Sequence, residues 1–254
     1  MQRGSVMKKI LLLALAGLIV LAAQAATGLL AGQAAAGTLT GKVSFSGKMR
    51  KARKIKMGDD DYCRNFYKGK AAPRSKKLVV SPNGEVRWAF VYLQAGVKGK
   101  SKPPKTPATI TQKGCQYATR VVGMVAGQRL VINNGDQTKH NFHLLGRNKY
   151  NRSASPGQSI ERKVRKAAKL KLRRGKSRVM SSIKCDIHPW MKAYLAVMPH
   201  SYFSVTGPGG RFEIKNVPDG EYTLAVWHEK LGTMTQKVTV SGGAMQSVDF
   251  AFSK

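Results

Sequence analysis

Acidic residues are scarce in this chain. Of 254 residues, 12 are Asp or Glu and 45 are Lys or Arg, which leaves a net charge of +33. Aromatic residues make up 7% and seldom interleave with the basic runs. The stacking platform that single-stranded nucleic acid needs is therefore missing, and no nucleic-acid partner is expected. No internal repeat and no long polar tract stands out, which argues against a repeat array or a disordered tail. The 42% hydrophobic and 22% charged content is ordinary for globular protein, and the length suits one large or two ordinary domains.

The N-terminus reads as an address. Lys8-Lys9 precedes an apolar run over 10–23, and Ala23-Gln24-Ala25 follows it. Charged, apolar and then small-x-small is the order of a secretory signal peptide. Residues 1–36 are expected to leave the mature chain by a cut near 25 or 36. Retention as an anchor is the competing expectation, since a spanning helix needs about 20 apolar residues. The location is then periplasmic or extracellular, and membrane-anchored if the segment stays. No cysteine closely follows the run, so a lipid anchor is not expected there.

Beyond it the pattern is β. Residues 38–47 alternate apolar and polar side chains and end on Gly47. Residues 78–80 and 86–93 flank Ser81-Pro82-Asn83-Gly84, a hairpin signal. The Pro- and Lys-rich stretch 98–107 reads as an exposed linker. Short strands are expected over 120–125, 129–134 and 141–145. Residues 159–174 mix helical with alternating spacing, and strands with a basic turn at 173–176 are favoured. Further strands are expected over 193–198, 211–214, 222–227 and 235–240. The fold class is all-β, built as sandwiches.

Two stretches carry chemistry. One is Thr138-Lys139-His140-Asn141-Phe142-His143, and the other is Cys185-Asp186-Ile187-His188-Pro189-Trp190-Met191, a loop between two expected strands. A thiolate, two imidazoles and a thioether make the ligand set of a one-electron copper centre. Structural zinc would use more Cys or His and has no use for Met191. A Cys-His nucleophile pair would need an orienting third group and a substrate pocket that nothing announces, so no enzymatic activity is expected. Taken singly, Cys185, His188 and Met191 are ordinary core or loop residues; the four in this order point to a metal. Pro189 stiffens the loop. His143, His200 and His228 are left as structural imidazoles. Asp59-Asp60-Asp61 lacks a surrounding calcium loop and reads as a solvated turn.

These two stretches resemble the copper-site signature of the plastocyanin-like cupredoxins, and the Cys-x-x-His-x-x-Met spacing is similar to that of amicyanin. The likeness spans roughly 108–199. It implies a Greek-key β-sandwich with one type 1 copper, with His140, Cys185 and His188 as equatorial ligands and Met191 as the axial one. It also implies that Asn141 ties the two ligand loops together beside the sulfur. The electron would leave where the edge of His188 reaches the surface, beside Pro189 and Trp190.

Farther on, Gly210-Arg211-Phe212-Glu213-Ile214-Lys215-Asn216-Val217-Pro218-Asp219-Gly220-Glu221-Tyr222-Thr223-Leu224 resembles the carboxypeptidase regulatory-like, prealbumin-type sandwich. Gly41-Lys42-Val43 is similar to that module's opening strand. Residues 38–97 and 201–253 are accordingly expected to form a second small β-sandwich around an inserted copper unit. Three cysteines in an exported chain fit one disulfide, expected between Cys63 and Cys115, plus one metal thiolate.

The expected function is to carry single electrons between redox partners. The alternatives are a copper-handling protein docked at the cell surface by its second sandwich, and a membrane-tethered subunit of a respiratory complex. Basic runs lie at 48–56, 68–77, 98–105 and 162–178, the last with ten Lys or Arg in seventeen positions. They are either solvated surface or steer the protein toward an acidic redox protein partner, an anionic membrane surface or a cell-surface polyanion.

Overall fold

The computed structural model describes residues 36–173 and 176–253. The N-terminal segment and the centre of the basic turn at 173–176 lie outside the described residues. The fold is all-β: apart from the helix Asp61–Phe66, every described element is a strand. Among the described residues no helix is long and apolar enough to cross a membrane.

Two sheets take strands from both ends of the chain. One orders Arg211–Pro218, Ala36–Ser46 and Met245–Ser247, and Phe250–Ser253 pairs with Ala36–Ser46 as well. The other orders Phe203–Val205, Phe90–Ala95, Gly220–His228 and Gly232–Val240. Alternate residues of these strands, among them Leu39, Val43, Val91, Leu93, Leu224 and Phe250, meet in one buried cluster.

The middle of the chain makes its own pair of sheets. Ala108–Gln112, Arg129–Asn134 and Ser159–Lys163 form one. Val121–Val125, Lys192–Met198, Met180–Lys184, His140–Leu144 and Tyr150–Ala154 form the other. Ile110, Leu130, Ile132, Phe142, Ile183 and Leu195 fill the space between them, and Cys185 and Met191 belong to the same cluster.

A third cluster joins the two halves, and it explains two unbroken apolar runs. Val91 and Leu93 enter the first core, while Phe90 and Tyr92 on the opposite face of that strand meet Val121, Ala196, Met198 and Ala225. Lys192–Met198 divides in the same way, with Leu195 and Val197 on one side and Ala196 and Met198 on the other. Gly123 permits this closeness, because a Cβ there would lie 2.5 Å from Phe203 and 2.8 Å from Phe90. Across the junction, Arg120 makes hydrogen bonds of 2.5 and 2.8 Å to Glu229 and one of 2.7 Å to the Lys192 carbonyl.

Two local features differ from expectation. The strand expected over 86–93 is broken, because Trp88 adopts φ +67° and Thr206 clamps the break. The Trp88 and Ala89 amides donate to Thr206, at its carbonyl and its hydroxyl oxygen, and the Thr206 amide donates to the Ala89 carbonyl. The stretch expected to be a solvated acidic turn starts a helix: Asp60 caps Asp61–Phe66 by accepting from the Cys63 amide at 2.8 Å.

We predict that Phe250→Ala, which removes a fully buried ring from the first core, lowers stability by about 3–5 kcal/mol in urea unfolding. A loss below about 1 kcal/mol would show that this core does not depend on the ring.

Candidate metal centre

Strand pairing brings the ligand stretches together. Met180–Lys184 runs antiparallel to Lys192–Met198 with Lys184 opposite Lys192, so residues 185–191 are forced into a closed loop. Inside it, the Cys185 amide donates to the Met191 carbonyl at 3.3 Å and the Met191 amide to the His188 carbonyl at 2.9 Å. On its other side Met180–Lys184 pairs with His140–Leu144, with Lys184 opposite His143. His140 thus starts a strand beside the loop.

The result is a buried donor cluster. Ligand atoms of His140, Cys185 and His188 all lie within 4.8 Å of one another. The two Nδ1 atoms are 2.9 Å apart, and His188 Nδ1 is 3.9 Å from Cys185 Sγ. One ion bonded at about 2.0–2.3 Å to each donor can bridge such spacings. Met191 is buried in the same apolar cluster as Cys185. The donors are soft sulfur and imidazole, which fits copper.

Each imidazole is held from behind by a carboxylate. His140 Nε2 donates to Asp136 at 2.9 Å, and His188 Nε2 donates to Asp60 at 2.9 Å. With Nε2 protonated, a neutral ring presents the Nδ1 lone pair, so both carboxylates select the tautomer that faces Cys185. Asp136 is itself fully buried and accepts from the Gly114 and Cys115 amides at 2.7 and 2.8 Å. Gly114 and Cys115 both have positive φ, which turns two successive N–H groups toward one anion. Thr138 donates to Asp60 at 2.9 Å.

The two carboxylates share a strap. Cys63 and Cys115 are disulfide-bonded, so the helix that Asp60 caps is tied to the turn that holds Asp136. Cys63 Sγ sits 3.6 Å from His188 Nε2. Trp190 packs against His188, with ring centroids 5.1 Å apart, and donates to the Cys115 carbonyl at 2.9 Å.

Asn141 links the ligand loops. Its amide donates to Cys185 Sγ at 3.4 Å, and its side chain accepts from the Asp186 amide and donates to the Asp186 carboxylate at 2.9 Å. Tyr117 spans the same two strands, donating to the carbonyls of Asn141 and Lys184 at 3.3 and 3.2 Å.

The electrostatics follow from this packing. Burial opposes a charge on His140, but the Asp136 carboxylate and the Cys185 sulfur outweigh it and raise the ring's pKa to about 9. Burial pushes the Cys185 thiol up, yet the two imidazoles prevail and bring it down to about 6. His188 is raised against its burial by Cys185 and then Asp60. Asp136 and Asp60 stay below the usual carboxylate range, since their hydrogen bonds outweigh burial. These shifts favour a thiolate beside imidazolium in the metal-free cluster. Metal binding must displace the proton between the rings.

One site expectation is overturned. The edge of His188 does not reach the surface: the residue is 1% exposed, sealed by Asp60 and the strap. Pro189 is exposed and Trp190 half-buried, so only these two of the expected exit residues approach solvent. His143 lies on the outer face, bonded to Asp186 at 2.8 Å. His200 and His228 are buried away from the cluster; His200 lies 3.0 Å from the Leu93 carbonyl, and burial lowers His228 to about 4. Asp60 and Asp136 were not foreseen. Their one sequence signal is that two of only twelve acids fall in a Cys-containing stretch and four positions before His140.

A family model described as polysaccharide lyase family 4, domain II matches residues 196–248. It is not the carboxypeptidase regulatory-like module that the motif there resembles. No curated protein matches the chain. Similar solved structures include a purple cupredoxin from Nitrosopumilus maritimus, 16% identical over 35% of this chain and 98% of its own, with a TM-score of 0.28. Amicyanin from Paracoccus versutus is 17% identical over 48% of this chain and 97% of its own, with a TM-score of 0.30. A copper-containing nitrite reductase from Thermus scotoductus is 18% identical over 41% of this chain and 24% of its own, with a TM-score of 0.31. The case for a metal is made by the side chains of the cluster and not by these likenesses.

We predict that Asp136→Asn lowers the His140 pKa from about 9 in an NMR titration of the metal-free protein. In the parent, a raised folded-state value means stability that is full below the unfolded value of 6.5 and lost as pH rises through about 9. The variant should lose part of that dependence, since the Cys185 sulfur still raises the ring. An unchanged His140 titration would show that Asp136 does not govern the ring.

Proposed function

We propose that the protein is an exported copper protein that carries single electrons between redox partners. The observation that carries this is the convergence of His140 Nδ1, His188 Nδ1 and Cys185 Sγ beside buried Met191, with both Nε2 atoms tied to carboxylates. His140, Cys185 and His188 would hold the ion, with Met191 the thioether available from the same apolar cluster. Bound there, copper would supply a one-electron couple that changes geometry little between its two oxidation states. The protein's own part is rigidity: Asp136, Asp60, Asn141 and the strap restrain the donors, and the apolar cluster excludes water.

In this reading residues 108–199 are the copper unit, inserted between strands of a sandwich that 38–97 and 201–253 build together. Export through the N-terminal segment accounts for a disulfide in the same chain as a metal thiolate. N-terminal sequencing of the native protein separates cleavage from retention as an anchor.

A copper-handling protein without electron transfer is the second reading. The sealing of His188 favours it, because the ring offers no edge to a partner. Colour and electrochemistry separate the two. For the carrier we predict intense visible thiolate-to-copper absorption, abolished in Cys185→Ser, together with a reversible one-electron wave. A colourless copper complex with no reversible wave would refute the carrier.

A further inference from the structure

A concavity of about 910 Å³ opens beside the loop that carries Cys185 and His188. One wall is the segment 48–56, held to 73–75 by hydrogen bonds between Ile55 and Pro73 and between Ser75 and Arg53. The floor includes Pro189, Trp190, Met191 and Tyr117. The lining carries ten lysine and arginine side chains, and among the described residues that line it none is Asp or Glu. Arg120 already has Glu229. Lys76, half-buried, donates to the Tyr117 and Ala118 carbonyls at 3.3 and 3.4 Å, and burial together with Arg87 and Arg120 lowers its pKa.

So many cations gathered in one concavity repel one another, and an anion that enters relieves the repulsion. The placement of Trp190 indicates which kind. It is the half-buried residue that touches both the cleft and His188, at a ring separation of 5.1 Å, so an occupant resting on it lies one aromatic ring from a copper ligand. A polysaccharide or a nucleic acid has no use for that position.

We infer that this cleft docks an acidic segment of a redox protein partner against Trp190, in place of the exposed His188 edge that the structure lacks. The proposal rests on the copper reading for the partner's redox character, but the docking itself does not require metal.

The test titrates labelled hexaglutamate onto the full, disulfide-intact, metal-free chain and follows anisotropy. We expect binding that weakens roughly tenfold or more from low to high salt. Arg53→Glu/Lys77→Glu, at two exposed lining positions, should weaken it about tenfold. Lys100→Glu/Lys102→Glu, equal in charge but in the exposed stretch away from the cleft, should change it less than about twofold. Equal losses in the two variants, no binding to the parent, or tighter cleft-dependent binding of a sulfated polysaccharide or single-stranded DNA would each overturn the inference. The carrier fails separately: a chain that binds hexaglutamate but, once loaded with copper, shows no visible thiolate-to-copper band and no reversible wave would sink the carrier and leave the docking surface standing.

Discussion

Everything at the centre of this molecule depends on two carboxylate–imidazole bonds. Asp136 and Asp60 each accept a hydrogen bond from Nε2 of one ring, which leaves the Nδ1 atoms turned toward the Cys185 side of the cluster. Remove either and the ring is free to turn or to change tautomer. A metal meeting it would find a donor set that has to be reordered at a cost in affinity. Both carboxylates lie outside the stretches that supply the metal donors.

What positions them is the disulfide. Cys63 fixes the helix that Asp60 caps, and Cys115 is one of the two amides that grip Asp136. The covalent bond is therefore less a brace for the whole sheet than a clasp on the outer layer of one site. It also closes that site, since the strap that orients His188 covers it. Orientation and access are traded against each other by the same few atoms.

Much of this was legible in the chain itself. Alternation located most strands, and the two motif stretches marked His140, Cys185 and His188, which the fold gathers, because strand periodicity and a short loop are local properties. Lys192–Met198 was placed as a strand although burial on both faces removes the polar half of its pattern, whereas the break at Trp88 before Phe90–Ala95 left no such trace. Asp60 was missed for another reason. It stands 128 positions from His188, and only folding plus a covalent link sets them together. In sequence its surroundings are those of a polar turn, so the covering of His188 could not be read from composition. The module at 196–248 shows a further limit, for a short turn-rich motif fits more than one kind of sandwich.

The strand Ala36–Ser46 leads to a different kind of consequence. Its neighbours are Arg211–Pro218, Met245–Ser247 and Phe250–Ser253, all from the far end of the chain. A ribosome makes the first strand long before any of them. The middle of the chain, with His140, Cys185 and His188, is made while Ala36–Ser46 still waits with an unpaired edge and one apolar face. Such an edge invites pairing with the same strand of a neighbouring nascent chain. Like charges repel, so the surplus of lysine and arginine opposes such contact between copies until residues 211–253 have been made.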